Sequence, residues 1–249
     1  MNNLNEIVKN AIEQYQPTDI QKKKINFTKK DICQAIDHTL LKPDATEPKI
    51  IALCEQAINY NFTSVCVNPV WVSTCKTLLK NSSVDVCTVV GFPLGANLTK
   101  IKVAETLQAL NDGADEIDMV LNVGQLRSGN YDAVYNDIRN VVTTASLAVV
   151  KIIIEACLLS KEEKITACSL ALHAGAGYVK TSTGFSLHGA VAGDVALMRR
   201  VVGEKMGVKA SGGIRDLETT KKMLIAGADR IGTSSGLDII EQFIKEESQ

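Results

Sequence analysis

The sequence predicts an α/β protein, a closed (β/α)8 barrel (the TIM barrel) with an extra N-terminal helix, and three observations carry that prediction. Short apolar runs alternate with longer helical patterns along most of the chain, as in βαβ units that build a parallel sheet. Eight such runs follow one another, a number that suits a closed barrel better than an open sheet. Three of them are entered through the same Gly-Ala step, so the chain echoes itself. Its length of 249 residues is one at which α/β barrels commonly form a single domain.

Residues 2–15 place Leu4, Ile7, Val8 and Ile12 on one helical face, which predicts an amphipathic helix ahead of the barrel. The stretch "QPTDIQKKKINFTKK" after it reads as a solvated connector, its lysines an exposed face. Residues 1–30 are therefore assigned to helix and connector, and residues 31–249 to one catalytic barrel domain. The eight strands are expected near "CQAIDHT", "TSVCVN", "VDVCTVVG", "DEIDMVLN", "VVKIIIEA", "GYVKTST", "GVKAS" and "DRIGTS".

The repeated step is "DGADEIDM", "AGAGYVKT" and "AGADRIGT", starting at Gly113, Gly175 and Gly227. A glycine at a helix stop is the usual left-handed cap. Five residues beyond each glycine stand Asp118, Lys180 and Gly232, on the fourth, sixth and eighth strands. Alternate strands of such a barrel send side chains into the same layer, so Asp118 and Lys180 should share a level, with room beside them at Gly232. Among the odd strands, "GVKAS" supplies Lys209, and period two places Lys151, Ile153 and Glu155 on one face. Asp37 and Cys66 are further inward candidates. Three lysines and two aspartates inside a barrel are costly to desolvate, and such clusters tend to mark sites.

Bulk properties remove several classes of function. A formal net charge of −1 gives no pull toward nucleic acid or an anionic membrane. The most apolar run, "LAVVKIIIEACLL", contains Lys151 and Glu155 and is too short to span a bilayer. Seven cysteines without a CxxC pair, behind an N-terminus lacking a signal-peptide core, fit reduced thiols in the cytoplasm. Three scattered histidines offer no pair at metal-ligand spacing, so no metal is expected.

As a nucleophile Lys180 must be neutral, and at an ordinary pKa of about 10.4 roughly one amine in 2,500 is so at pH 7. Burial and a neighbouring cation both raise that fraction, and Lys209 is the obvious cation. On spacing alone, Lys180 reads either as that nucleophile or as a strand-end lysine snorkelling to solvent. Asp118 reads as a proton carrier or a plain ion-pair partner. Asp37 and Lys151 could form structural ion pairs, and Cys66 could be a small core hydrophobe. "ASGGIRD" and "IGTSSGLD" sit where this fold builds phosphate sites, after strands seven and eight. Gly212, Gly213, Gly232, Ser234 and Ser235 there can bring amide and hydroxyl groups to phosphate oxygens. "GFPLGAN" either closes one side of the pocket or simply connects. "HAGAGYVK" precedes a strand instead of following one, which removes it as a dinucleotide fingerprint.

"VKTSTGF", "KASGGIR", "DEIDMVLN", "VCVNP" and "DHTLLKPDAT" together resemble the deoxyribose-phosphate aldolase family of class I aldolases, from about Asp31 to the last helix. The resemblance implies that Lys180 forms a Schiff base, that Lys209 perturbs it, and that Asp118 works with Lys209 in proton transfer through an ordered water. It implies pocket positions for Asp37, Cys66 and Lys151, and phosphate-binding positions for Gly184, Gly212, Gly213, Gly232, Ser234 and Ser235. It further implies a sugar-phosphate substrate, no cofactor, and a homodimer. Some bacterial relatives carry a flexible tail with a terminal tyrosine implicated in proton exchange, where this sequence reads "FIKEESQ". The N-terminal helix is longer than in the shortest members. Competing readings are a transaldolase-like or pyridoxal-phosphate enzyme using the same lysine, and a non-catalytic sugar-phosphate sensor.

Overall fold

A computed structural model of the chain describes residues 3–16 and 26–248. Eight parallel strands close on themselves in sequence order: β1 (Ile36–Leu40), β2 (Ser64–Val67), β3 (Asp85–Val90), β4 (Glu116–Val120), β5 (Val149–Ile153), β6 (Tyr178–Lys180), β7 (Gly207–Ser211) and β8 (Arg230–Thr233). Seven lie within their expected stretches, and β1 runs one residue beyond "CQAIDHT", to Leu40. The strands are buried on both faces and accordingly rich in Val and Ile, which period two alone would not distinguish from a buried helix segment.

Eleven helices are described, from α1 (Leu4–Gln14) and α2 (Lys29–Ala35) to α11 (Gly236–Glu247). The first strand is shorter than its motif because Cys33 and Ala35 belong to α2, whose capping box pairs Thr28 with Asp31. Lys29 and Lys30 are therefore helical and not part of a connector; residues 17–25 of the expected connector lie outside the described residues. Helix α1 forms as its spacing predicts. It lays Val8, with Leu4 and Ile12, against the core and packs across α8 (Lys161–Ala174). The helix adds to the barrel's outer layer.

Gly113, Gly175 and Gly227 all take the left-handed backbone (φ 103°, 86° and 107°) that ends a helix and turns the chain into a strand. Two apolar regions result. The larger fills the shell between sheet and helices, and a small one inside the barrel consists of Leu41, Cys66, Cys87 and Val89, with Phe92 packed against it. Much of the remaining barrel interior is charged.

Candidate active site

Seven ionisable side chains meet inside the barrel, all of them buried: Asp37, Glu116, Asp118, Lys151, Lys180, Lys209 and Arg230. At the upper level, Lys180 Nζ and Lys209 Nζ each donate to Asp118 Oδ2 at 2.7 Å. Lys151 Nζ donates to Asp118 Oδ1 at 2.9 Å and to Glu116 Oε2 at 2.7 Å, which joins the upper level to the lower. On the far side, Lys209 Nζ lies 2.5 Å from Asp37 Oδ2. Arg230 closes the ring below, with Nε 2.6 Å from Asp37 Oδ1 and Nη2 3.0 Å from Glu116 Oε2. The shared level expected for Asp118 and Lys180 is thus present. Gly232 makes space for it, since a Cβ there would come within 2.9 Å of Ser211 Cβ and 3.1 Å of Lys209 Cε.

Glu116 and Arg230 were not anticipated, although a signal existed. Period two from Asp118 reaches Glu116, and from Gly232 it reaches Arg230. The same rule fails for Glu155. Strand β5 ends at Ile153, and Glu155 adopts φ 50°, ψ 62°, which turns its side chain out of the strand's alternation. Its carboxylate accepts from Thr183 N and takes no part in the lysine cluster.

Electrostatics separates the lysines. Burial works against the charge on Lys209, but Asp118 and Asp37 outweigh it and hold the ammonium above the ordinary lysine range. Lys151 is held up in the same way, chiefly by Asp118 against burial. Asp118 is pushed up by burial and pulled further down by Lys151, Lys180 and Lys209, so it stays ionised. Fully ionised, the cluster would hold four cations against three anions. Lys180 has one carboxylate partner, shared with Lys209, whereas Lys151 and Lys209 each have two.

Above the charges lies a cavity of about 310 Å³ lined by Lys180, Gly184, Gly212, Gly213, Gly232 and Ser234, together with Thr39–Lys42, Thr183, Phe185, Ser211, Ile214, Arg215 and Thr233. Lys180 and the two glycine loops therefore open on one space. Among the described residues, the N–H groups of Gly184, Gly212, Gly213 and Ser234 have no acceptor in the chain, the arrangement that suits an anion. Ser235 stands one step away, at the N-cap of α11, with its N–H donated to Thr233 Oγ1. Asp37, Cys66, Lys151, Asp118 and Lys209 lie beneath the cavity and do not line it.

The hydroxyls after Lys180 fix its strand end. Thr181 Oγ1 donates to Ser211 O at 3.0 Å, and Ser211 Oγ donates to Ser182 O at 2.6 Å. The loop Gly91–Asn97 reaches the cavity wall only through Phe92, whose ring meets Phe185 edge-on at 5.3 Å, and none of its residues lines the cavity. Cys66, Cys87 and Asp118 bring potential ligand atoms within 4.8 Å of one another. Asp118 is already engaged by three lysines; burial and the hydrogen bond with Cys66 raise the Cys87 thiol well above its ordinary range, while the same hydrogen bond lowers Cys66. A larger hollow of about 620 Å³ between α1, α8 and α9 (Ala192–Val202) lies against the outer helices and has none of the cluster's residues in its lining.

Comparison with known proteins finds relatives over most of the chain. A family model described as DeoC/LacD family aldolase matches residues 32–242. A deoxyribose-phosphate aldolase from a Geobacillus species is 60% identical over 212 residues, 85% of this chain and 95% of the relative. Another, from Lysinibacillus sphaericus, is 55% identical over 217 residues, 87% of this chain and 97% of the relative. The solved deoxyribose phosphate aldolase of Aeropyrum pernix, described as tetrameric, is 33% identical and superposes with a TM-score of 0.83 over 97% of this chain and 98% of its own.

Proposed function

This chain belongs to the DeoC/LacD family of aldolases, and we propose that it is a lyase cleaving 2-deoxy-D-ribose 5-phosphate reversibly to acetaldehyde and D-glyceraldehyde 3-phosphate through a Schiff base on Lys180. One observation supports this reading above the rest. Of the three lysines inside the barrel, Lys180 alone lines the cavity that is also lined by the glycine loops with their unpartnered amides.

The neutral Lys180 amine adds to the C1 aldehyde of the open-chain sugar. Loss of water leaves an iminium, whose positive charge is the electron sink. Removal of the C3 hydroxyl proton lets the C2–C3 electron pair move toward that sink, which releases the triose phosphate and leaves an enamine. Protonation at C2 and addition of water then free acetaldehyde and restore the amine. Asp118 and Lys209, bonded to each other beneath the amine, are the groups placed to hold and pass those protons. The Gly184, Gly212, Gly213 and Ser234 amides take the phosphate and align C1 with Lys180, binding energy remote from the reacting bond. Because the iminium withdraws the electrons, the sequence of steps needs no further cofactor.

The chemistry requires a neutral Lys180 amine, and Lys209 places a second ammonium on the same carboxylate oxygen. Replacing Lys209 by Leu is therefore expected to lower turnover and move the acidic limb of the rate profile to higher pH, while an unmoved limb would remove that role. Sodium borohydride added with substrate should fix a reduced adduct on Lys180, located by peptide mass spectrometry. An adduct on any other residue, or none, refutes the assignment. The substrate class, the family and the reduced buried thiols support a cytoplasmic catabolic enzyme; no helix among the described residues is long and apolar enough to cross a membrane. A homodimer is the proposed assembly, to be decided against the tetramer of the Aeropyrum pernix relative by sedimentation velocity.

A further inference from the structure

The segment after β6 is held from below by a carboxylate outside the lysine cluster. Glu155 is buried, with a relative exposure of 4%, and has no ion-pair partner among the described residues. Its Oε2 accepts from the Thr183 hydroxyl, and both its oxygens lie within reach of Thr183 N, at 3.3 and 3.4 Å. The remaining contact is the Cys157 thiol at 3.8 Å. A buried carboxyl group with no cation beside it carries a desolvation cost, and a left-handed backbone at a residue other than glycine adds strain. Two unfavourable features at one residue call for a gain elsewhere.

That gain lies one residue beyond Thr183. The Thr183 hydroxyl, while donating to Glu155, accepts from Phe185 N at 3.1 Å. Thr183 and Phe185 are thereby tied on either side of Gly184. Gly184 takes φ 86°, has open space where a Cβ would stand, lines the catalytic cavity and keeps its N–H free of any acceptor in the chain. The loop does not need Glu155 to stay attached, because Ile154 N donates to Lys180 O at 3.0 Å and Ala156 N to Thr181 O at 2.8 Å. What Glu155 adds is the orientation of Thr183 and, through it, of the Gly184 amide.

We propose that Glu155 is a positioning residue for the substrate's phosphate, acting through Thr183 to aim the Gly184 N–H into the cavity. This rests on the phosphate reading given above. Neither Glu155 nor Thr183 touches the amine of Lys180, so the effect should appear in discrimination for the phosphate and not in the chemistry at C1.

The test compares kcat/KM for deoxyribose 5-phosphate with kcat/KM for unphosphorylated deoxyribose, and adds inorganic phosphate as a competitive inhibitor. Glu155→Ala should lower the ratio of the two kcat/KM values roughly tenfold and raise the inhibition constant of phosphate by a similar factor, as for loss of one well-placed hydrogen bond. Glu155→Gln, which keeps an acceptor for Thr183, should recover most of both. Thr183→Val, lacking the hydroxyl but retaining the backbone, should reproduce the alanine variant and serves if that variant does not fold. Equal losses on both substrates, or an unchanged ratio with unchanged phosphate inhibition, would overturn the role of Glu155. Failure of the phosphate reading itself would look different, as a wild-type enzyme that neither prefers the phosphorylated sugar nor binds phosphate.

Discussion

Lys102, between α5 (Thr99–Asn111) and α7 (Tyr131–Ala145) in the shell outside the barrel, and Lys209, inside it, are both fully buried, yet burial and its partners move them in opposite directions. Lys102 has one carboxylate, Asp137 at 2.5 Å, and the Val120 carbonyl at 2.9 Å. Burial wins there, and the ammonium sits below the ordinary lysine range despite Asp137. Lys209 has two carboxylates, and together they overcome burial. The shell pair is one cation and one anion, and neither residue lines the catalytic cavity. In the barrel cluster four cations share Asp37, Glu116 and Asp118, and the lysine with the fewest carboxylate partners opens on the cavity. Burial of a lysine therefore does not by itself mark a site. A lysine with few partners beside a cavity does.

The sharpest challenge to this contrast is Lys180→Leu. It should abolish acetaldehyde release, by roughly four orders of magnitude or more, in an assay on deoxyribose 5-phosphate run beside the wild type; appreciable turnover would mean that the reacting amine lies elsewhere. Asp118→Asn should follow with a loss of about 10²- to 10⁴-fold in kcat, the range of a positioned proton carrier. The shell pair should behave differently. Lys102→Met leaves Asp137 buried and unpaired, so about 3 kcal/mol of stability should disappear in urea unfolding. Lys102→Met with Asp137→Leu should regain most of it, and the pH–rate profile of the double variant should overlay that of the wild type.

The smallest effect concerns acid. Asp37 and Asp118 are raised by burial but held, on balance, below the ordinary 3.8 by the surrounding cations. Their contribution to stability is thus complete above pH 3.8 and is lost as pH falls through their lower folded values. Thermal midpoints should decline in that acidic window, and Asp118→Asn should blunt the decline. A decline of the same steepness in the variant would assign acid lability to carboxylates elsewhere.

The barrel was legible because its signals are local and repeated. Eight apolar runs and three left-handed glycine stops are set by neighbours along the chain, and each reappears in place. The level shared by Asp118 and Lys180 was legible for the same reason, since a constant step of five from the glycine stop fixes height within a strand. Glu116 and Arg230 were equally within reach of period two and were passed over. Glu155 was misplaced, because a single left-handed residue breaks the alternation and nothing in "IIIEACLL" announces it. Lys102 carried no signal at all. "TKIKVAETL" reads as a surface helix, and its burial depends on Asp137, 35 residues away.

By itself, the sequence determined the strand count, the order of the elements, and which residues could face inward at one level, because these follow from periodicity and backbone preference. Only the tertiary structure decided how four cations divide three carboxylates, which lysine reaches the cavity, and which amides are left without acceptors. Those outcomes depend on distances between strands remote in sequence, and on a low dielectric that exists only once the barrel has closed.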